Sequence, residues 1–384
     1  MNIAKVCYDF MAKILETVKV SYILLKIMGN NFSCCRLDDS YSDFYTGKGA
    51  QGNYEILDLS NQDDITAEKV KNYSINSKTP IKYLNLSNTY FTPEQILILA
   101  ENNLLSKLSH LDLSNNKICN EGMTSFKACK YLTNLNALDI SSNDIKDEGI
   151  KDLCNCSFLT RIRSLNLKDN VIVSLPNSEY MNNVVDLNLA QNLLGEKGIK
   201  TLSECYFLSN LVTLNLSGNF ITEDGFKYLS ACKFLYHLQN LDVSKNEIGK
   251  IERRKDKTPK GLKYLIDCNF LSNLIYLNLS RNQIDDFGFK FFPQCEFLGN
   301  LKELDISGNN LKSEGIKYLS ECHFLSKTNI LNINSNAIGN EGVGYLLKCD
   351  YLKNLSAINF DDNNIREEGR RLLKESELFS KFVK

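Results

Sequence analysis

One phrase recurs along this chain with nearly constant spacing. It reads Leu111-Asp-Leu-Ser-Asn-Asn116-Lys-Ile118, then Leu214-Asn-Leu-Ser-Gly-Asn219-Phe-Ile221, then Leu304-Asp-Ile-Ser-Gly-Asn309-Asn-Leu311. Its Asn marks the phase at Asn116, Asn143, Asn170, Asn192, Asn219, Asn246, Asn282, Asn309, Asn336 and Asn363, and Gln62 and Thr89 occupy the same slot earlier. That makes twelve units, with a step of 27 residues except for 22 between Asn170 and Asn192 and 36 between Asn246 and Asn282. A unit this short cannot bury a core alone, so neighbouring copies must stack and each must contact the next.

The full unit runs roughly L-x-x-L-x-L-x-x-N-x-I-x-x-E-G-x-x-x-L-x-x-C-x-F-L. Leu at alternate strand positions points inward, because strand side chains alternate faces. The marker Asn is expected to be buried, its amide bonding the backbone of adjacent turns. Each such bond is worth about 1 kcal/mol net. Asn120-Glu-Gly, Asp147-Glu-Gly, Ser313-Glu-Gly and Asn340-Glu-Gly read as helix starts. There a short polar residue caps, and the Glu meets the positive end of the helix dipole. Thr92-Pro93-Glu94 is the same signal with Pro at the first helical position. The Leu three to four residues beyond the Gly packs inward.

The unit resembles the ribonuclease-inhibitor-like leucine-rich repeats in its Glu-Gly helix start, and its late Cys is similar to that of the cysteine-containing subtype. The resemblance covers about residues 54–370. It implies an α/β fold, a curved solenoid of about twelve repeats with parallel strands on the concave face and helices on the convex face. It also implies protein binding. Residues 1–53 carry no repeat and read as an N-terminal helix followed by a polar tether or cap; residues 371–384 read as a C-terminal cap helix.

Lys plus Arg is 45 and Asp plus Glu is 46. A near-neutral chain does not suit general nucleic-acid binding, which rests on phosphate neutralisation. Cys129, Cys156, Cys205, Cys232, Cys268, Cys295, Cys322 and Cys349 share one slot just after the helix, where Cys behaves as a small buried hydrophobe. An odd set of thirteen Cys fits a reducing cytosol. No run reaches the roughly 18 apolar residues of a transmembrane helix. The three His, at 110, 237 and 323, lie in no metal-ligand or nucleophile spacing, and no phosphate-cradling Gly loop is present. The expectation is a monomeric, cytoplasmic chain without cofactor, metal or catalytic activity.

The departures from the repeat are informative. Residues 3–28 read as a helix, either an end cap or a membrane-surface segment. Met28-Gly29-Asn-Asn-Phe-Ser33-Cys34-Cys35 matches a myristoylation motif with two adjacent palmitate acceptors. It operates at Gly29, Cys34 and Cys35 only if translation starts at Met28 or processing exposes Gly29. A single acyl chain binds membranes weakly and a second makes anchoring stable, so the expected place is then the cytosolic face of a membrane. The 22-residue step has no room for a full helix. The 36-residue step inserts a basic loop with Arg253, Arg254, Lys255 and Lys257, either solvated or a binding element.

Strand positions six, four and two residues before the marker face away from the helices. The middle one is Asp or Asn in every repeat, from Asp58 to Asn359. The face is polar and acidic, with Lys168 its one fixed cation. Tyr83, His110, Asp112, Asp139, Asp186, Asp242, Tyr276, Glu303 and Asp305 are the candidate contacts for a basic partner. The functional expectation is a non-catalytic scaffold or adaptor. Richness in Asn, Lys and Ile suits an AT-rich genome, so a secreted bacterial effector is one expectation, acting in a host cell, and a protozoan protein is another. The alternative is a regulator of an enzyme, such as a GTPase activator or a ribonuclease-inhibitor-like inhibitor. Ran GTPase-activating proteins share this repeat type but carry an acidic C-terminal tail, whereas this chain ends Lys-Phe-Val-Lys384.

Overall fold

The computed structural model describes residues 55–77, 79–250 and 261–383. The N-terminal helix, the motif at Gly29, Cys34 and Cys35, and the basic loop with Arg253, Arg254, Lys255 and Lys257 lie outside the described residues. Among the described residues, twelve strands form one parallel sheet in strict sequence order, from β1 (Glu55–Asp58) and β2 (Ile81–Asn85) through β3 (His110–Asp112) and β4 (Ala137–Asp139) to β12 (Ala357–Asn359). The register places equivalent repeat positions opposite one another, as in His110↔Ala137, Leu111↔Leu138 and Asp112↔Asp139. The hydrophobic phase explains this, because a one-residue slip would turn each inward Leu to solvent.

The core lies between the sheet and a helical layer. It is built of columns: Leu84, Leu111, Leu138 and Leu165 from one strand position, Leu86, Leu113, Ile140 and Leu167 from the next inward one, and Phe91, Ile118, Ile145 and Ile172 after the marker, all buried. The helices add Phe126, Leu153, Leu202, Leu229, Leu319, Leu346 and Leu373, each four residues beyond the repeat Gly and each at most 2% exposed. Full burial of such side chains contributes about 1.5–3 kcal/mol apiece.

The marker Asn ladder is present throughout. Asn246 is typical: its Nδ2 donates to Leu216 O (3.0 Å) and Val243 O (2.9 Å), and its Oδ1 accepts from Asn219 N (2.8 Å) and Ile221 N (3.0 Å). All ten marker Asn donate to a carbonyl of the preceding repeat. The residue before the marker is left-handed in all twelve repeats, with φ between 50° and 67°. Gly218 and Gly308 take that position without strain, and Asn61, Asn88, Asn115, Asp169 and Asp362 tolerate it best among the others.

Helix capping differs from the expectation. Asn120 does not cap its own helix, Cys119–Phe126, which begins one residue before it. Its Oδ1 accepts from Lys146 N (2.8 Å) and Gly149 N (3.2 Å), at the start of the next helix, Asp147–Cys154. Asp286 Oδ1 does the same for helix Ser313–Ser320, accepting from Lys312 N (2.7 Å) and Gly315 N (2.8 Å). Asn340 Oδ1 receives Arg366 N (2.9 Å) ahead of helix Glu367–Glu375. Thr222 and Asp285 do cap their own helices.

The short step lacks an α-helix between strands Ser164–Asn166 and Asp186–Asn188, and there Asp147 Oδ1 instead accepts from Val173 N and Ser174 N. At the C-terminal end, helix Glu367–Glu375 belongs to the last repeat. The chain then turns at Ser376, and Phe379 is buried against the solenoid before a short 3-10 turn, Ser380–Phe382.

Candidate interaction face

The middle column of the sheet face has a structural duty in every repeat. Each Asp or Asn accepts through Oδ1 from the N–H two residues on, from Asp58 with Ser60 to Asn359 with Asp361. This bond turns the chain out of the strand. Neighbouring repeats also couple sideways. Asn166 Nδ2 donates to Asp139 Oδ2 (2.7 Å), Asn278 to Asp242 (3.2 Å) and Asn332 to Asp305 (2.9 Å). An Asn beside an Asp therefore supplies the donor that two adjacent carboxylates lack.

Burial sorts the candidate contacts. Asp242 is 4% exposed, Asp305 6% and Tyr276 8%. Burial raises the carboxyl pKa of Asp242 and of Asp305, against hydrogen bonds from Ser244 and Ser307. Both carboxylates are engaged by the chain's own donors. Asp112, Asp139, Asp186, Glu303, Tyr83 and His110 keep partial access. The rings of Tyr83 and His110 sit 6.0 Å apart on paired strands. His110 Nδ1 lies 2.8 Å from Ser109 Oγ, and burial lowers its pKa, so the imidazole is neutral near pH 7.

Asp112 and Asp139 are adjacent carboxylates on paired strands. Burial first, then the charge of Asp139, raises the Asp112 pKa to about 6. A raised folded-state pKa means that ionisation opposes folding. The stability held below the unfolded value of about 3.9 is lost as pH rises through about 6. Asp112→Asn keeps the Oδ1 acceptor for Ser114 N and adds an Nδ2 donor towards Asp139. It is expected to stabilise the protein by about 2 kcal/mol at pH 7.5, with the gain vanishing near pH 4. Chemical denaturation at both pH values measures this; an equal effect at the two would reject the assignment.

A second Asn ladder, on the rim before the strands, was not anticipated. Asn134, Asn183, Asn210, Asn273, Asn300 and Asn354 each donate Nδ2 to a carbonyl of the preceding repeat, for instance Asn300 to Ser272 O (2.9 Å). The signal is the recurrent Asn nine residues ahead of the marker, followed by Leu except at Asn183-Val184. Where Arg161 and Lys327 replace that Asn, they reach back to Asn134 Oδ1 and Asn300 Oδ1.

The late-Cys column is chemically quiet. Cys156, Cys205, Cys232, Cys268, Cys295, Cys322 and Cys349 are buried and donate to the carbonyl four residues back, while Cys129 is half-buried. Burial pushes the Cys205, Cys232 and Cys295 thiols up to about 12, so these side chains stay protonated. Among the described residues no cluster of His, Cys, Asp or Glu is placed to hold a metal, and no helix is long and apolar enough to cross a membrane.

The family model described as Leucine Rich repeat matches residues 105–127, 131–154, 270–290, 300–320 and 329–347. Among solved structures, an internalin from Listeria monocytogenes is similar over 85% of this chain and 85% of that one, at 21% identity and a TM-score of 0.54. A leucine-rich-repeat protein of Leptospira interrogans shares 20% identity over 84% of this chain and 88% of that one, with a TM-score of 0.45. Internalin C2 of Listeria monocytogenes shares 22% identity over 62% of this chain and 83% of that one, with a TM-score of 0.41. No match is found among curated proteins. The first likeness, at that identity, is one of fold. With twelve parallel strands in sequence order, an Asn ladder from repeat to repeat and a family model matching five of its segments, the chain has the fold of a leucine-rich-repeat solenoid.

Proposed function

We propose that the protein is a non-catalytic interaction scaffold that holds a basic protein surface against its sheet face and the adjoining rim. The observation that carries this reading is the row of partly accessible carboxylates, Asp112, Asp139, Asp186 and Glu303, on a face whose three outward columns contain a single fixed cation, Lys168. Such a field accelerates encounter with a cationic surface and weakens with salt. Tyr83 and His110 add a ring pair suited to a contact residue. Asp242 and Asp305 act behind this surface, setting its backbone, and Tyr276 is buried.

The test is capture and cross-linking in the protein's own cell. Partners retained by the full chain should be lost on Asp186→Lys with Glu303→Lys, and binding should fall at least tenfold between about 50 and 300 mM salt. Retention by the charge-reversed variant would count against the sheet face. Membrane tethering belongs to the same reading. The motif at Gly29, with Cys34 and Cys35 beside it, supports a scaffold held at the cytosolic face of a membrane, in a host cell if the protein is a bacterial effector. The mass of the N-terminal peptide recovered from the cell decides this: acylated Gly29 supports the tether, and an unmodified peptide from Met1 removes it.

A further inference from the structure

The rim that follows the strands carries an apolar stripe. One residue after the marker, successive repeats place Val171, Leu193 and Phe220 side by side. Leu193 is 43% exposed and Phe220 57%. The flanking repeats put Asp144 and Glu247 in the same slot. Phe220 also holds a left-handed backbone, with φ of 58°. Asp144 and Asn364 adopt the same conformation in this column at less steric cost. An exposed Phe on strained backbone gains nothing for the core, which points to a use at the surface.

Charge is distributed unevenly about the stripe. Asp144 and Asp169 lie on the rim at one end, and Lys245 and Arg281 at the other, all exposed. Glu247 is already paired with Lys250 at 2.7 Å. Repeats follow one another at roughly 5 Å, so the two ends are separated by about 20 Å. We infer that this rim binds a second copy of the chain about a two-fold axis between the repeats of Leu193 and Phe220. That axis sets Leu193 against the partner copy's Phe220 position and Asp169 against Lys245, places Asp144 and Arg281 in facing repeats one column apart, and leaves Val171 opposite Glu247, whose charge Lys250 already meets. An isologous contact requires this kind of self-complementary ordering. A stable interface buries about 800 Å² per partner. A single rim offers less, so the dimer is weak and dissociates in the range of about 10–100 μM.

Sedimentation velocity of the full chain, from about 2 to 300 μM, tests the pairing. The expected result is a shift from monomer to dimer that Phe220→Asn weakens at least tenfold, with thermal stability retained or raised. Asp169→Lys and Lys245→Asp should each weaken it, and the double variant should restore it, because each residue then meets its opposite across the axis. A monomer throughout the range overturns the inference, as does a dimer that Phe220→Asn and the charge reversals leave unchanged.

Discussion

Asn246→Ala is expected to destabilise the protein by about 4 kcal/mol. The Asn246 side chain is 3% exposed and serves two repeats at once. Removing it leaves the N–H groups of Asn219 and Ile221 without their acceptor in a region closed to water, while the carbonyls of Leu216 and Val243 lose one of two donors and keep Asn219 Nδ2 and Asn282 Nδ2. Each orphaned buried group costs about 1–3 kcal/mol, and local relaxation recovers part of the sum. A solenoid is held together by nearest-neighbour interfaces. The loss therefore falls on the seam between the Asn219 and Asn246 repeats, and unfolding should broaden or split into two steps. Denaturant titration followed by circular dichroism checks both points. Asn300→Ala removes two exposed bonds of the second ladder, to Ser272 O and from Lys327 Nζ, and should cost about 1 kcal/mol or less. Equal losses at the two positions would show that burial does not set the strength of the ladder.

Gly315→Ala should cost about 3 kcal/mol, although Ala is the better helix former. A Cβ there would lie 2.6 Å from Asp286 Oδ1 and 3.0 Å from Leu311 Cδ2. Asp286 holds its position by accepting from Lys312 N and Gly315 N, so the new methyl displaces the cap of helix Ser313–Ser320. Gly149 and Gly369 meet the same obstacle, from Asn120 Oδ1 at 2.7 Å and Asn340 Oδ1 at 2.6 Å. Gly344, inside helix Gly339–Leu346, has nothing within 4 Å of its would-be Cβ. Gly344→Ala should therefore stabilise the protein by roughly 0.5–1 kcal/mol. Thermal melts of the two variants should move in opposite directions. A neutral Gly315→Ala would mean that the repeat Gly is kept for chain flexibility and not for close approach.

Much of the face was readable before its geometry was known. The three outward columns, the Asp or Asn at every middle position and the solitary Lys168 follow from the period alone. Access did not. Asp112 and Asp242 occupy the same slot, yet Asp112 keeps partial exposure while Asp242 is closed. Their neighbours differ as well, Asp112 standing beside another carboxylate and Asp242 receiving Asn278 Nδ2, but that bond does not set access, because Asp139 receives Asn166 Nδ2 and stays partly exposed.

The repeat period by itself determined the fold class, the number of repeats, the strand register and the buried marker Asn. Those features depend on a slot within one repeat, and the inward Leu columns admit one phase. Only the tertiary structure decided which groups serve which repeat. Asn120, Asp286 and Asn340 cap helices that start about 27 residues later, and Asn134 and Asn300 reach back to carbonyls 28 residues earlier. The reason is distance. Stacking brings equivalent atoms of adjacent repeats into hydrogen-bond range, while a residue's own helix start can be out of reach of its side chain. Local sequence shows a polar residue next to a helix start; only the stacked chain shows whose start it is.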